Sequence, residues 1–141
     1  MNKNLTHEEK LMALISHLSV IIPNIGIIVP IIIWLTQKEK SNYTRFNSLQ
    51  AIFFQLFFLL IMMVCIFVGI ILMIISMMPL IGNPSSEPGS LFFVSMIFMF
   101  LYFPIWFIFS VYALIGSILS YKGKNFKYIV IGRIIENKVY R

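Results

Sequence analysis

The chain has no aspartate and only one cysteine, and these shortages remove whole classes of function before any pattern is sought. Its carboxylates are five glutamates, Glu8, Glu9, Glu39, Glu87 and Glu136, all in flanks and loops, so no facing pair is available for acid–base work. The lone Cys65 lies inside a long apolar run; it cannot close an intrachain disulfide or join a thiolate metal cluster. Two histidines, no aspartate and glutamates confined to flanks and loops give neither a metal-ligand set nor a nucleophile with a base beside it. No enzyme, no cofactor and no metal site is expected. Charge of any kind is scarce, at 11% of residues, while 60% are hydrophobic and the mean hydropathy is +0.93. That balance describes a membrane protein, and 141 residues leave room for one all-α membrane domain, residues 1–141, with no separate soluble domain.

Three apolar blocks are present: Leu11 to Leu35, Leu49 to Met78 and Leu91 to Ser120. As helices the last two would each reach about 45 Å, against a hydrocarbon core of about 30 Å, so they must tilt, kink or project. Pro104 removes a backbone donor and crowds the carbonyl of Phe100, which predicts a kink in the third block. The first block carries Pro23, Asn24, Gly26 and Pro30, too many breakers for one straight span. Either it forms a hairpin of two short helices over residues 8–37, or it is a single kinked span. The expected layout continues with a long helix over 45–78, an external loop at 79–90, a long kinked helix over 91–121 and an amphipathic, interfacial basic tail at 122–141. The polar start, with no small-residue cleavage site after it, predicts no removable signal peptide.

Cytoplasmic flanks of membrane segments collect Lys and Arg. Residues 79–90 hold none, whereas Lys38, Lys40 and Arg45 follow the first block, and Lys122, Lys124, Lys127, Arg133, Lys138 and Arg141 follow the third. The hairpin puts all eleven basic residues on one side, which favours it and makes the protein multi-pass in the cell membrane with both termini cytoplasmic. Anionic lipids would contact these flanks, at about 1 kcal/mol per cation. The net charge of +6 is spread over membrane flanks and forms no folded basic face, so nucleic acid is not an expected partner.

Polar residues within the apolar blocks fall on helical faces. Asn47, Ala51, Phe54, Phe58, Met62, Cys65, Gly69, Leu72 and Ser76 share one at heptad spacing, with Gln55 beside it and Gln50 on the opposite flank. Ser95, Met99, Tyr102, Trp106, Ser110, Ala113, Ser117 and Ser120 share another, and Ala13, Ser16, His17, Val20 and Asn24 cluster in the first block. Such seams join helices in lipid through small residues and interhelical hydrogen bonds of about 0.6 kcal/mol each. A structural seam is therefore the first reading and a polar path for a transported species the sharper one. His17, ionisable and well inside an apolar segment, leads the functional candidates.

Several segments together resemble the Tic-twenty-like family, named for a subunit of the chloroplast inner-envelope translocon. They are His17-Leu18-Ser19, Pro30 through Trp34, Arg45-Phe46, Gln50-Ala51, Phe54-Gln55, and Lys122-Gly123-Lys124 through Phe126, Tyr128 and Arg133-Ile134. Asn47 stands where that family often has His, and Ile129 where it often has Pro. The resemblance implies four helices with both termini cytoplasmic, and a non-enzymatic channel or translocation component, or an accessory to one, working as a homo-oligomer or in a larger membrane complex. The alternative is a non-conducting interaction protein, such as a toxin immunity factor.

Overall fold

The computed structural model describes residues 5–85, 87–124, 126–129 and 131–140, and these form helices without strands. They are α1 (His7–Leu18), α2 (Ile28–Gln37), α3 (Asn42–Gly82), α4 (Leu91–Phe100), α5 (Tyr102–Tyr121) and α6 (Ile131–Val139). A single 3-10 turn, Ser19–Ile21, extends α1.

Helix α1 begins with a capping box. The Thr6 hydroxyl accepts from the Glu9 amide at 3.2 Å while the Glu9 carboxylate accepts from the Thr6 amide at 2.9 Å, which satisfies two donors the first turn would leave open. The first apolar block does break in two, as its Pro and Gly content requires. Asn24 sits at the turn with φ of 65°, a left-handed conformation asparagine tolerates better than most residues. Pro30 is not a breaker here, because it occupies the third position of α2, where its missing N–H would have had no helical partner. At 10 residues α2 is only about 15 Å long.

Helix α3 runs 41 residues without interruption, starting three residues earlier and ending four residues later than the 45–78 expected, and it continues through Pro79. The third block is interrupted at Leu101, between α4 and α5. The cause is Pro104: the Phe100 carbonyl loses its partner there, while flanking bonds from Leu101 N to Ile97 O (2.9 Å) and Ile105 N to Leu101 O (3.2 Å) hold the axis together. At the far end Gly123, with φ of 73°, caps α5 in a Schellman arrangement, its amide on Ser120 O and the Lys124 amide on Leu119 O.

Two stretches, Asn42–Gly82 and Leu91–Tyr121, are long and apolar enough to cross a membrane, and most of their side chains face outward. Among the described residues the fold is all-helical. It divides into two compact units, one of Met1–Phe57 with Ile108–Arg141 and one of Phe58–Phe107. In the second unit, Phe58 and Met62 are buried and a Cβ at Gly69 would lie 3.4 to 3.5 Å from Phe98, Met99 and the Ser95 carbonyl, a close helix approach of the kind small residues permit in lipid. The first unit holds two apolar clusters. One gathers Val20, Phe54, Ala113 and Tyr128, and the other Phe46, Ile135 and Val139.

Candidate functional site

The first unit concentrates the polar side chains. Helix α1 supplies Ser16 and His17, α3 supplies Thr44, Asn47, Ser48 and Gln50, and α5 supplies Ser117 and Ser120, all essentially inaccessible. His17 lies at the centre. Its Nε2 is 3.0 Å from Asn47 Oδ1 and its Nδ1 is 3.0 Å from the Tyr128 hydroxyl. The Asn47 amide nitrogen donates to the Tyr43 carbonyl at 2.9 Å, so its oxygen must accept, which makes Nε2 the protonated nitrogen and Nδ1 the acceptor from Tyr128. The same Asn47 oxygen accepts from Ser120 Oγ at 2.9 Å. Three chain segments thus meet on one amide. Burial holds the His17 pKa down at about 4, the hydrogen bond to Asn47 opposing the shift in part, so the ring is neutral at pH 7. Burial also pushes the Tyr128 phenol well above its ordinary range, which keeps it a donor.

Gln50 fixes the tail. Its amide nitrogen donates to the Phe126 carbonyl at 3.1 Å and its oxygen accepts from the Tyr128 amide at 3.0 Å, a two-point grip on non-helical backbone. Gly132 makes room for it, since a Cβ there would stand 2.8 Å from Gln50 Oε1 and 2.6 Å from Lys127 Cβ. Tyr128 then stacks on Phe54 with centroids 4.0 Å apart and planes 4° from parallel, and Phe126, Tyr112 and His17 meet it edge-on.

Among the other residues singled out from sequence, Ser16 bonds Ser48 at 3.2 Å and Gln55 donates to Ser19 at 3.2 Å. Ser117 and, in the second unit, Ser95 bond only their own preceding turns, at Leu114 and Phe92. Tyr102 is half-buried beside Phe58, and Ser110 Oγ is buried with no partner among the described residues. Asn24 does not join the cluster: it is exposed, and its role is the turn. Of the basic residues, Lys40, Lys122, Lys124 and Arg133 are exposed, Arg45 is half-buried, Lys38 lies 5.6 Å from the Trp34 ring centroid, and Lys127 pairs with Glu136 at 2.7 Å. Sequence patterning missed Tyr128, Tyr43, Ser48 and Thr44. Tyr128 has no periodic neighbours to reveal it, because it sits in the non-helical segment before α6.

The chain belongs to the magnetosome magnetite crystal formation protein family (MamF/MmsF), whose sequence model matches residues 8–135. No curated protein and no solved structure matches the chain. Family membership overturns the resemblance to the Tic-twenty-like family, and with it the channel or translocation reading; the immunity-factor alternative finds no support either. The physical reason is visible in the structure. The short signatures that carried the resemblance are packing devices, with Gln50 gripping the tail, Phe54 stacking on Tyr128 and His17 bridging Asn47 and Tyr128. Small helical membrane proteins of different families can share such devices.

Proposed function

We propose that this chain acts in magnetite crystal formation as a non-enzymatic, multi-pass component of the magnetosome membrane. The observation that carries this reading is the family match over residues 8–135, which takes in both compact units. The closed hydrogen bonding of the His17 cluster supports a structural part: each ring nitrogen already has a protein partner, so the cluster serves to hold segments together. With eleven Lys and Arg against five Glu the chain is basic, which does not favour an acidic iron-ordering surface, and the reading we propose is a part in shaping the membrane compartment around the growing crystal. Both termini are cytoplasmic in this reading, α1 and α2 form a hairpin that enters the bilayer without crossing it, and residues 79–90 face the other side, because every Lys and Arg lies outside that loop. The partners are the bilayer, with anionic lipids at the basic flanks, and further copies of the chain.

The test is transfer of the gene into a magnetite-forming bacterium that lacks its own family member. Crystal diameters measured by electron microscopy should return toward those of the parent strain. Crystals that stay at the deletion size, although the protein is folded and in the membrane fraction, would contradict the proposal. For the orientation, Ser85→Cys in a Cys65→Ser background should react with an impermeant thiol reagent added outside the cytoplasm, and Asn137→Cys should not.

A further inference from the structure

We propose that the first unit carries a defined binding site for one anionic glycerophospholipid, with an acyl chain in an apolar groove beside the tail and the headgroup phosphate on Arg133. The groove has a volume of about 470 Å³ and is walled by Phe57, Phe109, Tyr112, Tyr128, Ile129 and Ile131. Its surface is almost wholly carbon, and Ile129 at its lip is 79% exposed, which in a membrane protein calls for a hydrocarbon partner. Tyr128 and Ile129 also line an adjoining depression of mixed character that contains Ile134 and the charged side chains Lys127, Arg133 and Glu136. The two hollows therefore meet along the same two residues, apolar on one side and charged on the other, the order of an acyl chain and its phosphate.

Charge selects the headgroup. Glu136 is engaged by Lys127 at 2.7 Å, so the depression's one carboxylate is neutralised and Arg133 is left exposed without a carboxylate partner among the described residues. Guanidinium presents paired N–H groups that match a phosphate's oxygens. A zwitterionic lipid brings its own cation beside that phosphate, whereas phosphatidylglycerol does not, so the anionic lipid is preferred. On the other side of Ile131 a second apolar hollow of about 340 Å³, bordered by Phe53, Ile134 and Lys138, gives room for a second chain under another cation.

This inference goes beyond crystal formation and stands or falls separately from it. The full chain, purified in mild detergent, is equilibrated with equal amounts of phosphatidylglycerol and phosphatidylcholine, and retained lipid is counted by native mass spectrometry. One phosphatidylglycerol should be kept per chain, favoured at least about fivefold. Arg133→Gln should remove that preference, whereas Lys124→Gln, three residues past α5 and outside both hollows, alters only the diffuse contact of the basic flank and should still keep one phosphatidylglycerol per chain in preference to phosphatidylcholine. Ile108→Trp, at an exposed position on the groove wall, should reduce retention of both lipids while the protein stays folded by circular dichroism. No preference in the wild type, equal losses from Arg133→Gln and Lys124→Gln, or full retention by a folded Ile108→Trp protein would each overturn the site.

Discussion

The two compact units divide α3 and α5 between them, the first adding α1, α2 and α6 and the second α4, and each is held together internally in a different way. In Met1–Phe57 with Ile108–Arg141, a dozen of the described polar side chains are buried, His17, Asn47 and Gln50 among them; in Phe58–Phe107, Ser76 and Ser95 are the buried polar residues among those described. Those two serines bond the carbonyls of their own helix, at Met73 and Phe92, and so tie nothing across. The second unit depends on close apolar approach, as at Gly69, and the first on hydrogen bonds between segments distant in sequence. A hydrogen bond to a missing partner in an apolar interior is costly, whereas a lost apolar contact can be partly refilled by lipid or by neighbours. Damage to the polar seam should therefore be the more severe.

The largest effect is expected from Asn47→Leu, which leaves the His17 N–H and the Ser120 hydroxyl buried without their acceptor. At about 1–3 kcal/mol for each orphaned group the loss should be about 4 kcal/mol, read as a collapse of folded yield in detergent. Next comes pH. The folded His17 pKa of about 4 lies below the roughly 6.5 of an unfolded chain, so its contribution is unchanged above pH 6.5. As pH falls from 6.5 toward 4, the unfolded state takes up a proton that the folded state refuses, and stability drops by roughly 2.5 kcal/mol between pH 7 and 4.5. Thermal melts of His17→Gln should lose that part of the slope. In the second unit, Gly69→Leu should cost about 2 kcal/mol by overpacking a close approach, with Gly69→Ala nearly neutral. Smallest of all, Ser95→Ala should change the melting free energy by less than about 1 kcal/mol. Equal effects of Asn47→Leu and Ser95→Ala would erase the contrast between the units.

How far the sequence could be read follows the same division. Apolar block length is a strong signal and led to the two long apolar helices, while Pro, Asn and Gly content led to the split first block and to a kink at Pro104, where the structure has an interruption. Periodicity picked out Asn47, Gln55, Ser16 and His17, because each lies on a helix whose buried face repeats. It could not reach Tyr128 or the Gln50 grip, since these depend on a non-helical segment returning to α3 from 76 to 78 residues away. Asn24 was misplaced by projecting the α1 face through a turn where the helical phase ends. The family eluded the reading because short motifs report packing, while membership is carried by the whole span of residues 8–135.

The central claim is that the polar seam of the first unit holds the tail against α3, and hydrogen exchange of the Tyr128 amide tests it most directly. In nanodiscs that amide, bonded to Gln50 Oε1, should be protected by at least about a hundredfold relative to an unstructured chain. Gln50→Leu should return it to fast exchange while amides in the middle of α3 stay protected. A Tyr128 amide that exchanges at the unstructured rate in the wild-type protein would contradict the account.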